Sequence, residues 1–129
     1  MAEVLVAGDV EAALVAHLDA ATGIPWSTRV PNPRPAEFGR LQRLGGTRRS
    51  MILDEPMVGL WLWAGTSVRA SELGRTTEGL LFALEGETIG GSFVYRVAPI
   101  SGVQTTEDPD TKTPLALLTV QITWRLTRQ

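Results

Sequence analysis

The residues that could do chemistry in this chain are few, and their spacing suits none of the familiar sites. His17 is the only histidine, so any Ser–His arrangement would need it as the base, yet no serine sits in a Gly-x-Ser-x-Gly elbow. It falls beside an apolar helical stripe, where packing or exposure is the expected role. Asp54 and Glu55 are adjacent, so on a strand they point to opposite faces and do not form a paired acid and base; solvated loop ends are their expected setting. Glu107, Asp108 and Asp110 resemble the start of a calcium loop, but Leu118 stands where the bidentate glutamate belongs. Gly45-Gly46-Thr47 lacks the lysine and glycine spacing of a phosphate loop and is expected to be a turn. The absence of cysteine excludes thiol nucleophiles, zinc–thiolate sites and disulfides, and fits a reducing compartment. These residues imply no enzyme, no metal and no cofactor.

Charge placement carries more information. Between Arg29 and Arg49 the chain has Arg29, Arg34, Arg40, Arg43, Arg48 and Arg49 against the lone acid Glu37, whereas the charged residues of Met1 to Asp19 are all acids. Arginine supplies 11 of the 12 basic residues, and its planar fork suits carboxylates. The pattern is either a solvated arginine face or a surface for an acidic neighbour, a second copy or another protein. Net charge is −2 with a pI near 5.4, which gives the whole molecule no attraction to nucleic acid or to an anionic membrane. Arg34, Arg40, Arg43, Arg48 and Arg49, together with Trp61 and Trp63 of an apolar strand, are the expected interface residues.

The elements that must position these groups follow from periodicity. A chain of 129 residues, 43% hydrophobic and 20% charged, is expected to form one folded domain over 1–129. It contains no apolar run of the roughly 20 residues needed to span a bilayer, and Met1 to Ala7 lacks the basic flank of a signal peptide. Asp9 is placed to cap a helix carrying Val10, Leu14, Leu18 and Ala21, ended by Gly23. Trp26 to Val30 reads as a short strand, followed by a Pro31–Pro33–Pro35 connector. Phe38 to Leu44 reads as a strand, Gly45-Gly46 as the hairpin turn, and Met57 to Trp63 as a strand covered on both faces. Thr66 or Ser67 caps a second helix with Leu73, Thr77, Leu80, Leu81 and Leu84 on one side. Phe93 to Ala98 alternates as a strand, and Leu118, Val120, Ile122, Trp124 and Leu126 mark the inward face of the last one. Ile100 to Pro114 has no apolar period and reads as a long mobile loop. The expected class is α/β in the α+β sense: a mixed, largely antiparallel sheet of four to five strands with two helices packed on one face.

The order of these features resembles the tail terminator proteins of long-tailed, siphovirus-type bacteriophages, the lambda-like tail terminator fold. The resemblance rests on the amino-terminal helix, Val30-Pro31, Arg34-Pro35, Phe38, Arg43, Gly45-Gly46, Trp63-Ala64, the second helix, Asp108-Pro109 and Arg125, over about Val10 to Arg128. At the start of the second helix, where such proteins often carry an aspartate, this chain has Gly65-Thr66-Ser67. The resemblance implies a homohexameric ring seated on the tail tube at the head-proximal end of the virion, assembled in the bacterial cytoplasm. Its partners would be the major tail-tube protein and a head-completion or stopper protein, with DNA passing through without sequence-specific binding. A ring needs a heterologous interface, two different patches that fit each other; the acidic first helix and the arginine segment are the expected halves. A connector or stopper of the neck is the neighbouring alternative, and a small α+β ligand-binding protein or enzyme with its site between sheet and helices is the alternative from another class.

Overall fold

The computed structural model describes residues 3–128, which form two helices and eight strands. Asp9 has extended backbone angles and accepts the Ala12 amide at 3.0 Å, so α1 (Val10–Thr22) begins there, and Gly23 at φ 75° closes it. Thr66 caps α2 (Ser67–Phe82) by accepting the Arg69 amide at 3.1 Å. The short α1 buries Val10, Leu14 and Leu18, while α2 buries Ala70, Leu73, Gly74, Thr77 and Leu81. Glycine in mid-helix weakens helix propensity by about 1 kcal/mol, but at position 74 a Cβ would meet Val103 Cγ1 at 2.8 Å. The residue trades propensity for close approach of α2 to the sheet.

The main sheet has six strands in the order β2 (Trp26–Ser27), β3 (Phe38–Arg48), β4 (Leu53–Trp63), β7 (Pro114–Arg125), β6 (Ser92–Glu107) and β5 (Thr88–Ile89). All neighbours are antiparallel except β2 and β3. A separate antiparallel pair joins β1 (Leu5–Val6) to β8 (Thr127–Arg128). The molecule is therefore α+β with a mostly antiparallel sheet, as expected, but with more strands than the four to five read from sequence. The additional ones are two-residue strands, too short for an alternation signal.

Both helices and the inner sheet face share one core. Leu14, Leu18, Leu60, Leu62, Leu81, Ile122 and Trp124 are fully buried. Leu118, Val120, Ile122, Trp124 and Leu126 all point inward, as their alternation requires. The opposite sheet face has a smaller cluster of Phe38, Trp63 and Leu115 with Trp61 beside it; Phe38 and Trp63 stack at 4.6 Å. Met57 and Trp61 stay only half-buried, so β4 is covered on one face and partly open on the other rather than sealed on both.

Two expectations are corrected. Gly45-Gly46 is not the hairpin turn. It lies inside β3, where the register with β4 shifts between Arg43 and Gly46, and a Cβ on Gly46, at φ 88°, would stand 2.1 Å from the Glu55 carbonyl oxygen. The turn falls instead at Arg49–Ile52, closed by the Arg49 amide donating to the Leu53 carbonyl at 2.9 Å. Likewise, Ile100 to Glu107 belongs to β6, paired with β7 as far as Glu107↔Pro114, and the connecting loop shrinks to residues 108–113. Register shifts between Val94 and Arg96, Pro99 and Ser101, and Ser101 and Gln104 break the two-residue period, which explains why this strand read as a loop. The first shift also lets both Val94 and Val97 reach the core.

One ion pair locks the bulged hairpin to the last strand. Asp54, 2% exposed, accepts both Arg43 guanidinium nitrogens at 2.9 Å and the Trp124 indole N–H at 3.1 Å. Far from ending a solvated loop, it is a buried carboxylate that depends on its partners. Truncating Arg43 strands that charge, which costs about 3 kcal/mol, whereas Arg49 is 58% exposed beside Glu55 and contributes under about 1 kcal/mol. Urea unfolding is expected to show Arg43→Ala with a clearly lower midpoint than Arg49→Ala; equal midpoints would refute the lock.

Candidate functional site

The arginine segment does not form a uniform surface. Arg43 is held by Asp54, and its ε N–H also donates to the Gly45 carbonyl at 2.8 Å. Arg48 donates to three backbone carbonyls, those of Leu5, Ser50 and Met51, and so ties the turn to β1. Arg34 reaches across the fold to Asp108 at 3.2 Å and Thr111 at 3.3 Å. Arg49 pairs loosely with Glu55 at 3.7 Å. Arg40 has no carboxylate among the described residues; it donates to the Thr28 carbonyl and Gln42, and lies 4.8 Å above the Trp61 ring. Of the expected interface set, Arg40, Arg49 and Trp61 face outward, while Arg34, Arg43 and Arg48 are engaged within the fold and Trp63 is buried.

Trp63 belongs instead to a node around Asp108. The Asp108 carboxylate accepts the Trp63 indole N–H at 2.9 Å, the Asp110 amide at 2.9 Å, the Thr111 amide at 3.3 Å and Arg34. These donors, the indole first, hold the carboxyl well below the usual carboxylate range against the opposing effect of burial. A cluster that resembled the start of a calcium loop is thus a loop lock. Its acceptor oxygens point at protein donors, and among the described residues no three His, Cys, Asp or Glu side chains converge as a metal site. A second carboxylate, Glu37, is lowered chiefly by its hydrogen bond from Arg69 at 2.7 Å, which also raises the arginine. Both perturbed acids serve tertiary bonds between distant segments, and neither confronts another acid in a cleft.

The outer sheet face gathers what the sequence left scattered. Cross-strand register sets Arg40 beside Trp61 and Trp61 beside Leu117, and further along it sets Arg96 beside Thr123. Phe93 and Tyr95 meet edge to face at 4.8 Å, and Arg125 donates to the Tyr95 hydroxyl at 3.3 Å. The chain pattern gave Arg96 and this aromatic pair no special standing, because the register shift between Val94 and Arg96 decides which way they point; Arg125, counted in the resemblance, joins them here. This arrangement offers aromatic and guanidinium surface for binding.

Cavities elsewhere border α1, and one of about 380 Å³ is lined by Asp9, Glu11, Val15, Trp26 and Thr28 among others. One of about 300 Å³ lies between the helices and β5, lined by His17, Leu80, Leu84, Glu87 and Ile89 among others. His17 is therefore half-buried at a helix seam, beside the apolar stripe. No described helix is long and apolar enough to cross a membrane. No family model matches the chain, and no curated protein matches it.

The Asp108 node gives a signed pH effect. A carboxylate lowered on folding contributes stability that is complete above its unfolded value of about 4 and is lost as pH falls through the folded value. Asp108→Ala is expected to lower stability by about 1–3 kcal/mol at pH 7, since it strands a buried indole N–H. The gap between parent and variant should narrow as pH falls from 5 to 2 in chemical unfolding. A gap that stays constant over that range would show that the ionised carboxylate is not what holds the loop.

Proposed function

We propose that this chain is a structural subunit of a phage tail, a tail terminator that assembles as a ring on the tail tube, ends its polymerisation and offers a surface for head joining. The observation that carries this reading is the uncovered sheet face: Arg40 over a half-buried Trp61, on a strand whose other face is sealed by helices. Soluble domains keep such aromatic surface for partners. The resemblance to tail terminators gains support from where its residues fall. Arg34, Phe38, Trp63 and Asp108 join in one node by stacking and hydrogen bonds. Arg43 and Gly46 build the bulge of β3. Spaced positions that looked like a motif without chemistry are the ones that set strand register and loop path, which is what kinship of fold without catalysis would preserve.

A neck connector or stopper would use the same kind of surface. An enzyme would need reactive groups meeting in a cavity; the pocket beside His17 brings together His17, Glu87 and Thr88 among aliphatic side chains.

Tail length separates the readings. In particles lacking the native protein, overlong or irregular tails are expected under electron microscopy, and supplying the chain in trans should restore uniform length. Uniform tails without any copy would remove the terminator assignment. Uniform tails that fail to join heads would move the chain to the connector class.

A further inference from the structure

The two layers of this molecule have opposite electrical character. On the outer sheet face Arg40, Arg96 and Arg125 have no carboxylate within ion-pair distance among the described residues, and the acid on that face, Glu55, is taken by Thr123 at 2.8 Å and by Arg49. Met57, Trp61 and Leu117 lie half-buried between them, an apolar centre with a cationic rim. The helical layer is acidic on balance, although Arg75 on α2 has no carboxylate within ion-pair distance among the described residues. α1 carries Glu11 and Asp19 and no lysine or arginine. α2 carries Arg69 and Arg75 against Glu72 and Glu78, and the turn after it adds Glu85 and Glu87. Glu11, Asp19 and Glu85 accept backbone amides from Arg43, Trp26 and Val97 and have no salt-bridge partner among the described residues; Glu78 and Glu87 have no side-chain partner among the described residues.

We propose that the outer sheet face of one copy docks on the acidic helical layer of the next, around α2 and the Glu85–Glu87 turn. The occupant is a second copy of this chain, because its own opposite layer supplies the charge that the sheet face lacks. The two surfaces differ, so the contact is heterologous and repeats around a ring or along a filament, whereas sheet-to-sheet pairing would bring like-charged arginines together. Apolar burial at Trp61 and Leu117 gives the attraction, and the arginines set register and partner choice. The inference rests on the ring reading only for closure of the contact into a ring.

Charge reversal with mixing tests it. At low salt and high protein concentration the parent is expected to self-associate in sedimentation equilibrium, more weakly as salt rises. A variant with Arg40→Glu, Arg96→Glu and Arg125→Glu, checked for fold by circular dichroism, should associate at least tenfold more weakly, as should one with Glu78→Lys and Glu87→Lys. An equimolar mixture of the two should recover association, because each altered face then meets its complement. If the triple variant does not fold, the cysteine-free chain allows a second measurement. Thr119→Cys on the sheet face and Ala83→Cys at the end of α2 should form the mixed disulfide in preference to either homodimer. A parent that stays monomeric, a mixture that does not recover, or dominant Thr119→Cys homodimers would overturn the proposal. So would an oligonucleotide held by the parent and lost in the triple variant while self-association persists, which would assign the face to nucleic acid. Association is read here between purified copies and termination in particles, so either reading can fail alone.

Discussion

The buried carboxylate of Asp54 is the constraint on which the sheet depends. A charge at 2% exposure is tolerable only with dedicated donors, and here they come from two other strands: the Arg43 guanidinium on β3 and the Trp124 indole on β7. For Arg43 to reach it, β3 must bulge, and the bulge requires Gly46 at positive φ against the Glu55 carbonyl. One carboxylate thereby fixes the register of β3, β4 and β7 at the end of the sheet remote from the Phe38–Trp63 stack. A one-residue slip would turn the buried apolar set to the other face, and the polar node adds a second, independent constraint on the same register.

At the other end Asp108 has a matching role. It collects a tryptophan from β4, two loop amides and an arginine from the proline-rich connector, so the loop between β6 and β7 and the path into β3 are held by the same group. These nodes absorb much of the arginine-rich segment. Of the arginines left without a carboxylate, Arg48 donates to backbone carbonyls and Arg75 lies on α2, while Arg40, Arg96 and Arg125 share the outer sheet face. The helices bury their apolar stripes and leave their charged residues outside, with acids outnumbering arginines on that layer.

Strong periodicity was readable directly. The caps at Asp9, Gly23 and Thr66, the stripe of α1 and the inward face from Leu118 to Leu126 depend on local hydrogen bonding and on a regular period, both of which are present in the linear chain. The misreadings share one cause. β6 carries three register shifts, so its apolar residues lose their period and the strand looks like a loop. Gly45-Gly46 looks like a turn because turns and bulges need the same positive φ. Asp54 looks solvated because its partners lie 11 and 70 residues away.

By itself, then, the sequence determined the class of fold, the two helices with their ends, the direction faced by the last long strand and the lack of any familiar catalytic spacing, since each is set by neighbours within a turn or two of chain. It also marked the arginine segment and Trp61 and Trp63 as notable, without distinguishing their roles. Only the tertiary structure decided that Arg43 and Arg34 belong to the fold while Arg40 stays outside, and that Arg96 and Arg125 join it on one face. Whether an arginine meets a carboxylate depends on strand register, and register is settled by long-range packing and by the desolvation cost of a few buried charges rather than by any local preference.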